Sequence, residues 1–447
     1  MKVNVILREN SRDLFSIGEE RTFYLDSIFT DPETSIIKNP IVKHNIYSYL
    51  TKKNHFKLCP TNTLVADFSN ISLAVYSIDQ ICNRERLGYH GWSRFLNLHI
   101  PVYNIEEWQL VKVELENIFS FLSGDKWVIN FRKCNETFPE FITSEFKSKK
   151  VCLFSGGMDS FIGISDLISK NSTLATVSHY KGGNSGELSL QKEITKKLRE
   201  ENPDKDILSY NFFVQGKKNN QLTGEKTQRA RSILFLSLGL LIANSSSDTT
   251  SIVIPENGLI SLNLPLTPAR GGSHSTKTTH PKYISALNEI FKKVGINNKI
   301  ENPYKYLSKG EMLAKVIHNT FVLNNIISTV SCSKPGYYVQ WKKNRKENEM
   351  PKNQCGHCVP CIIRRASLYA NGLDNPEDYE KDVITSFEKF DDYNAFKIAV
   401  NRFSTTEKIK IAFLKSGHMN LSELEIRKYI LMYKRGLKEV KNFIRQK

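Results

Sequence analysis

From residue 151 onward, short runs of apolar, often β-branched residues alternate with segments in which apolar residues recur at helical spacing. Such runs predict strands, and a spacing of three and four residues predicts helices. Strand and helix in repeated alternation are typical of α/β proteins with a parallel sheet. We therefore expect an α/β fold with a doubly wound parallel sheet, with strands at 151–154, 173–178, 207–214 and 251–254 and helices at 161–168, 188–199 and 229–243.

The preceding part of the chain, residues 1–148, predicts an additional N-terminal α+β domain, which we expect to bind a partner. Apolar spacing predicts helices at 67–79 and 113–122, and alternation predicts strands at 96–100 and 127–131. The polar segment 144–150 is the expected boundary. A cluster near a turn is predicted to be a solvated basic loop, with a binding surface as the alternative: Arg84, Arg86, His90, Trp92 and Arg94.

The remaining boundaries follow from composition. Residues 149–370 form the expected α/β domain, and residues 371–447 a basic helical C-terminal region whose last segment, 421–447, has one apolar helical stripe. We expect that stripe to dock on the body, and the basic outer face to suit nucleic acid or an acidic protein surface.

Length and charge limit the classes of protein further. At 447 residues the chain is expected to form two or three domains. Its net charge of +17 favours phosphate-rich or acidic partners. No apolar run reaches the length of a membrane span and no signal-peptide pattern opens the chain, so we expect a cytoplasmic protein without membrane contact.

The first candidate site is the turn between the strand at 151–154 and the following helix. Glycine lets the backbone approach a ligand closely, and the first amides of a helix attract anions. Asp159 is expected to cap the helix or to hold Mg²⁺. An ordinary βα turn is the alternative. The residues expected to bind phosphate are Ser155, Gly156, Gly157, Met158, Asp159 and Ser160.

Two other loops carry side chains suited to a nucleotide. Tyr180 and Lys181 follow the second strand, where an aromatic ring can stack on a base and a lysine can neutralise phosphate. Arg229, Arg231 and Ser232 open the long apolar helix. Surface salt bridges are the alternative for the arginines.

Further side chains are predicted to contact a substrate or ATP. Glu256 and Asn257 follow the fourth strand and suit the donor edge of a guanine-like ring. Arg270 and Lys277 lie in a polar loop, 267–281, which we expect to act as a lid. Lys309 starts another helix, from which it can reach ATP or simply face solvent.

Four of the eight cysteines form a second strong signal. Cys355, Cys358 and Cys361 lie in overlapping C-x-x-C units, and Cys332 precedes them along the chain. Four thiolates suit a tetrahedral Zn²⁺ site without an open position, which predicts a structural metal. His357 is the competitor for one ligand position.

The string S-G-G-M-D-S at 155–160 resembles the PP-loop of ATP pyrophosphatases, which cleave ATP between the α and β phosphates and adenylate a substrate. Together with the cysteine spacing it looks like the QueC family, the 7-cyano-7-deazaguanine synthases, over about residues 151–370. The resemblance implies adenylation of 7-carboxy-7-deazaguanine followed by attack of an amine. It implies the cofactors ATP, Mg²⁺ and Zn²⁺, and catalytic roles for Asp159, Ser155, Ser160 and Lys309.

Two loops depart from the family pattern: the sequence Tyr180-Lys181-Gly182-Gly183 replaces a Tyr-Gly-Gln, and the loop at 255–258 replaces an aspartate-based one. The longer pattern, including residues 92–94, 121–127 and the lid, is similar to the QatC family, the QueC-like component of Qat anti-phage defence systems. That similarity implies transfer of the acyl group to an amine of a partner protein, QatB-like and from the same operon.

Three functions are therefore consistent with the sequence. The first is a defence-associated ligase that joins a 7-deazaguanine acid to a protein amine. The second is a nitrile- or amide-forming 7-cyano-7-deazaguanine synthase that uses ammonia. The third is a non-catalytic, zinc-containing scaffold that binds nucleotide or nucleic acid through its charge.

Overall fold

The structure is a computed structural model. It describes residues 2–10, 12–19, 21–33, 35–37, 41–51, 62–138, 147–182, 186–216, 224–225, 229–267, 277–333, 354–417 and 421–446. Arg270, most of the predicted lid and the charged segment between the first two cluster cysteines lie outside these residues.

Strands and helices alternate along most of the described chain. The strands are β1 (Lys2–Arg8), β2 (Thr22–Asp26), β3 (Val42–His44), β4 (Phe95–Val102), β5 (Lys126–Lys133), β6 (Lys150–Leu153), β7 (Thr173–Tyr180), β8 (Asp206–Gly216), β9 (Ser251–Val253) and β10 (Ile300–Glu301). The helices are α1 (Ile46–Thr51), α2 (Thr63–Ile81), α3 (Arg84–Leu87), α4 (Ile105–Leu110), α5 (Lys112–Ser123), α6 (Met158–Lys170), α7 (Glu187–Glu201), α8 (Arg231–Ser246), α9 (Gly258–Leu262), α10 (Pro281–Val294), α11 (Lys309–Ala314), α12 (Thr320–Asn325), α13 (Val359–Ala370), α14 (Asp391–Arg402), α15 (Thr406–Lys415) and α16 (Glu423–Ile444), with short 3₁₀ helices at Ile326–Ser328 and Pro376–Asp378.

A six-stranded sheet forms the centre of the α/β part, in the order β10-β9-β6-β7-β8-β3. The first five strands in that order are mutually parallel, and β3 pairs antiparallel with β8 at the edge. The predicted parallel sheet is confirmed, and each of its four predicted strands is present. The chain runs from β6 to β8 in one direction and then returns to place β9 on the other side of β6, which makes the β6–β9 junction a topological switch point.

Both faces of this sheet are buried, because alternate strand residues belong to different cores. Val151 and Leu153 pack into a core with α2, α8 and α10, whereas Cys152 packs into a core with α6, α7 and α12. The strand period of two sends successive side chains to opposite faces. A strand that is covered on both faces has a continuous run of apolar residues in its sequence, and such runs are the pattern from which these strands were predicted.

The N-terminal region contains a second sheet, in the order β2-β1-β4-β5. Its strands are all parallel. The predicted helices and strands of this region are present, but the prediction of an α+β domain is wrong, because a parallel sheet makes the region α/β. Periodicity locates strands along the chain, but it does not determine which direction neighbouring strands take.

The two sheets share one hydrophobic core. Helix α2 is buried on every side, and its side chains belong to the same core as those of β1, β4 and α8. A helix that is buried all round belongs in the interior of a larger unit. Strand β3, from the first 148 residues, completes the edge of the six-stranded sheet.

The predicted solvated basic loop is wrong for two of its arginines. Arg94 is 1% exposed and Arg84 4% exposed. Arg94 lies 2.6 Å from both Asp79 and Asp125, and Arg84 contacts the same two carboxylates at 3.1 and 2.7 Å. Glu225 adds a third carboxylate, 3.5 Å from Arg84, so the two buried cations are matched by anions, as burial of charge requires.

The C-terminal helices form a third core. Helix α16 buries the predicted stripe, including Ile430, Tyr433, Leu437 and Val440, against α9, α13, α14 and α15. The prediction that this stripe docks on the body is confirmed. No helix in the described ranges is both long and apolar enough to cross a membrane.

Candidate functional site

A cleft opens at the carboxyl ends of the central strands, at the switch point between β6 and β9. It has two lobes, of about 310 and 470 Å³. Both are lined by residues that follow β6, including Ser155 and Ser160, and by residues that follow β9, Pro255 and Glu256. Open α/β sheets bind their ligands in this position, because the loops on the two sides of the switch point diverge and leave a crevice.

The loop after β6 forms the floor of the cleft. The Ser155 and Ser160 hydroxyls lie 3.2 Å apart, and the Ser155 hydroxyl accepts a hydrogen bond of 3.3 Å from Gly157 N–H. Helix α6 begins at Met158 and has no side-chain cap at Gly157. The start of α6 and two hydroxyls therefore lie in one turn, as in anion-binding turns at helix starts.

Two glycines make this arrangement sterically allowed. Gly156 has φ +86°, a conformation that other residues rarely adopt. Gly163 lies inside α6, where a Cβ would stand 2.2 Å from the Cβ of Pro255. The absence of that atom lets α6 pack directly against the loop after β9 and brings the two sides of the cleft together.

Asp159 lies at the centre of a buried polar cluster. Its Oδ1 is 3.0 Å from Nζ of Lys309, and its Oδ2 accepts hydrogen bonds from the side-chain amide of Asn257, at 2.7 Å, and from Asn257 N–H, at 3.3 Å. Burial acts to raise the pKa of Asp159, but Lys309 and the hydrogen bonds from Glu256 and Asn257 outweigh it, so that this pKa lies below its usual value. The carboxylate is thus charged and held in place.

Glu256 is the second carboxyl group of this cluster. Burial first, and then the adjacent Asp159 carboxylate, raise the pKa of Glu256 well above its usual value. Two carboxyl groups in contact cannot both ionise without a compensating charge, so one retains its proton. A divalent cation bound there would supply that charge and allow both to ionise.

Arg231 supplies a positive charge to both lobes. Its Nε lies 3.1 Å from Nδ1 of His179, and its Nη1 lies 3.8 Å from Glu187. The other ring nitrogen of His179 lies 3.0 Å from the Val214 carbonyl oxygen, which can only accept, so His179 carries its proton on Nε2 and accepts from Arg231 on Nδ1. Burial, and then the Arg231 charge, lower the pKa of His179 to about 3. A neutral, fully buried histidine therefore orients Arg231.

Most of the predicted site residues lie together in the cleft. Its walls include Ser155, Gly157, Met158, Asp159, Ser160, Arg231, Ser232, Glu256 and Lys309. Three residues that were not predicted, His179, Glu187 and Ser331, also position or line the site. The position of Glu187 at the start of the helix after the second strand is the one sequence signal that could have identified it.

Other predicted residues point elsewhere. Lys181 Nζ donates to Gln80 of α2 at 3.2 Å, and the ring of Tyr180 lies against Phe213. Arg229 donates to the Ser123 carbonyl at 2.8 Å. The neighbours of Arg229 are therefore in the N-terminal region rather than in the cleft.

Two predicted substrate contacts also have other neighbours. Asn257 uses its side-chain nitrogen on Asp159 and its oxygen on the N–H of Ile260, where it caps α9. It therefore lies behind Asp159. Lys277 places its ammonium 4.0 Å from the ring centre of Phe121, while the adjacent Thr278 and Thr279 line the larger lobe.

The four cysteines converge as predicted. Their sulfur atoms all lie within 4.8 Å of one another. The Cys332–Cys358 and Cys355–Cys361 sulfur distances are both 3.9 Å. Tetrahedral zinc with Zn–S bonds of about 2.3 Å requires sulfur atoms about 3.8 Å apart, so the donor set fits this metal. His357 instead stacks on Phe390, with ring centres 4.7 Å apart.

The cysteine cluster is joined directly to the cleft. Cys332 lines both lobes. In the segment before it, Val330 N–H donates to the Gly156 carbonyl at 3.1 Å, and the Ser331 hydroxyl accepts from Met158 N–H at 3.4 Å. A metal that orders Cys332 would also hold the glycine loop in position.

Fold and site together define an α/β protein with a polar cleft at a topological switch point and a four-cysteine cluster able to bind a metal such as zinc. No protein-family model matches the chain, and no curated protein matches it.

Proposed function

We propose that the chain is an ATP pyrophosphatase of the QueC-like class, closest to QatC, which adenylates the carboxylate of 7-carboxy-7-deazaguanine and passes the acyl group to an amine of a partner protein in anti-phage defence. The observation that supports this most is the position of the S-G-G-M-D-S loop. It lies at the β6–β9 switch point, facing a cleft that also contains Lys309 and Arg231.

The first step needs charge neutralisation more than acid–base chemistry. A carboxylate oxygen attacks the α-phosphorus of ATP, the bond to the β-phosphate oxygen breaks, and pyrophosphate leaves. The amides at the start of α6, the Ser155 and Ser160 hydroxyls, Arg231 and Lys309 would hold the phosphate oxygens. Asp159 and Glu256, where two carboxyl groups meet, would hold Mg²⁺, whose charge would help to neutralise the departing pyrophosphate.

In the second step an amine nitrogen attacks the acyl carbon, AMP leaves, and a proton passes to solvent. Alignment of the two reactants is the main contribution that the cleft can make. The cleft has two connected lobes, which gives room for a nucleotide and for a planar heterocycle side by side.

The test is to incubate the zinc-loaded protein with ATP, Mg²⁺ and 7-carboxy-7-deazaguanine, with ammonia or a QatB-like partner as the amine source. AMP, pyrophosphate and intact protein masses are then measured. We expect AMP and pyrophosphate in equal amounts, and a mass increase on the partner. Asp159→Asn should abolish both, and Asp248→Asn, an exposed carboxylate in a turn far along the chain from the loop, should change neither.

The outcome separates the alternatives. A 7-cyano or amide product formed from ammonia, without modification of the partner, would favour the biosynthetic reaction instead. ATP or nucleic-acid binding without AMP formation, together with equal behaviour of the two variants, would contradict the enzyme proposal and leave a nucleotide-binding scaffold.

A further inference from the structure

A second cavity lies in the N-terminal region, apart from the cleft. Its volume is about 290 Å³. Residues at the ends of all four parallel strands line it: Glu9 and Asn10 after β1, Ser27, Phe29, Thr30 and Asp31 after β2, Pro101 and Tyr103 at the end of β4, and Cys134, Glu136 and Thr137 after β5. The strand order is 2-1-3-4 when counted within this sheet, so the cavity also stands at a switch point, between β1 and β4.

The charge of this cavity is opposite to that of the protein. The chain has a net charge of +17. Among the described residues, three carboxyl side chains line the cavity, those of Glu9, Asp31 and Glu136, and no lysine or arginine does. The nearest arginine on β5, Arg132, is paired with Asp13 at 2.7 Å. An acidic lining in an otherwise basic protein favours a cationic ligand.

The carboxyl groups are not arranged as ligands of a metal ion. Within the described ranges, the four cysteines are the one group of three or more His, Cys, Asp or Glu side chains whose ligand atoms converge closely enough to hold an ion. Aromatic rings line the cavity together with the acidic groups: Phe29, Tyr47 and Tyr103, of which Phe29 and Tyr103 both pack edge-on against Phe138. Rings and carboxyl groups together are the usual surroundings of an organic ammonium group.

Asn70 adds a directional hydrogen-bond donor. It is 4% exposed and lines the cavity. Its Oδ1 accepts from Ser27 Oγ, at 3.2 Å, and from Ile28 N–H, at 3.0 Å. A backbone N–H can only donate, so the orientation of the amide is determined. In the described part of the chain no group accepts from its Nδ2, so this nitrogen is available to an acceptor on a ligand in the cavity.

We propose that this cavity binds a small primary ammonium group with a carbonyl oxygen close to it, as in the unit H₃N⁺–C–C=O. The carboxyl groups and rings hold the ammonium group, and Asn70 Nδ2 donates to the oxygen. A free amino-acid derivative and the first residue of a polypeptide both carry this unit.

Calorimetry on the full-length, zinc-loaded protein without ATP tests the proposal. The probes are glycinamide, which has the whole unit, ethylamine, which lacks the carbonyl, and acetamide, which lacks the ammonium. We expect glycinamide to bind most tightly, ethylamine up to about tenfold more weakly because it lacks the hydrogen bond of about 1 kcal/mol from Asn70, and acetamide not at all because it lacks the charge. A tetrapeptide amide with a free amino end distinguishes the sources: equal binding indicates a chain end, and weaker binding a free small molecule.

Variants locate the site. Glu136 is exposed at the rim, so Glu136→Gln should fold normally and weaken glycinamide binding about tenfold. Glu33→Gln, an exposed carboxylate that does not line the cavity, should have no effect. Asn70→Asp retains the oxygen that accepts from Ile28 and should remove the preference for glycinamide over ethylamine. Equal binding of acetamide and glycinamide, no saturable binding, or unchanged affinity in Glu136→Gln would each overturn the proposal.

Discussion

The ammonium group of Lys309 lies 3.0 Å from Oδ1 of Asp159, and both side chains are almost fully buried. Lys309 starts α11, whereas Asp159 is in the first turn of α6, so this ion pair fixes one helix start against another at the edge of the cleft. The pair provides a direct test of the site, because both charges are buried except where they line the cleft.

Lys309→Met should lower the free energy of unfolding by about 3 kcal/mol, because it leaves the buried Asp159 carboxylate without its cation. It should also abolish AMP formation if the proposed function is right. Urea unfolding and the AMP assay measure the two effects. Lys299→Met, at an exposed lysine, is the control and should change neither quantity by more than about 0.5 kcal/mol or twofold.

Arg231→Gln and Arg229→Gln should have different effects although they are two residues apart. Arg231 lines both lobes, so its loss should raise KM for ATP about tenfold or more. Arg229 contacts Ser123 and lies over Trp92, so its loss should reduce stability and leave KM within about twofold. Steady-state kinetics and urea unfolding of each variant would show this. An equal rise in KM for both variants is the result that this geometry does not allow.

Cys358→Ser should lose the bound zinc and, with it, folding free energy, since metal binding to such a site contributes to folding. The zinc content, measured by metal analysis, should fall from about one ion per chain to near zero, and the melting temperature should fall with it. Cys134→Ser, outside the cluster, should retain the metal. Because Cys332 lines the cleft, ATP affinity should fall in Cys358→Ser as well; unchanged affinity would separate the two sites.

Titration of the Glu439 carboxyl group should make the stability of the protein depend on pH. It accepts hydrogen bonds from Ser308 and from Gly310 N–H at the start of α11, and its neighbours Glu311 and Arg435 act on it in opposite directions. Burial raises the pKa of Glu439 to about 7. Because its pKa is raised, Glu439 keeps its proton in the folded state at pH values at which the unfolded chain has lost it. The contribution of Glu439 to the free energy of unfolding is therefore full below about pH 4.5 and is lost as pH rises through 7.

The expected difference can be measured against a neutral variant. Between pH 5.5 and 7.5 the wild-type protein should lose about 2 kcal/mol of unfolding free energy relative to Glu439→Gln, which has no carboxyl group to titrate. Urea unfolding of both proteins at the two values tests this, and the comparison removes the effects of all other titrating groups. Parallel pH profiles would mean that Glu439 titrates normally.

Much of the local structure follows from the sequence, because periodicity is a property of neighbouring residues. The predicted helices and strands at 113–122, 127–131, 173–178 and 188–199 are present within a few residues of their predicted ends. The turn at 155–160 and the cysteine spacing were recognisable for the same reason: their residues act together within one or two turns of chain.

The features that only the tertiary structure decided depend on contacts between residues far apart in the chain. The sequence alone determined where many helices, strands and the glycine loop lie and which four cysteines converge. It did not determine that the N-terminal strands are parallel, that Arg84 and Arg94 are buried, or that Arg231 and not Arg229 reaches the cleft. Strand direction, burial and side-chain partners are set by packing between elements that are distant in the chain. Helices α2 and α8 are an example: the N–H of Ala230 donates to the carboxylate of Asp79, more than 150 residues away. The energy of such contacts exists only once the elements have met.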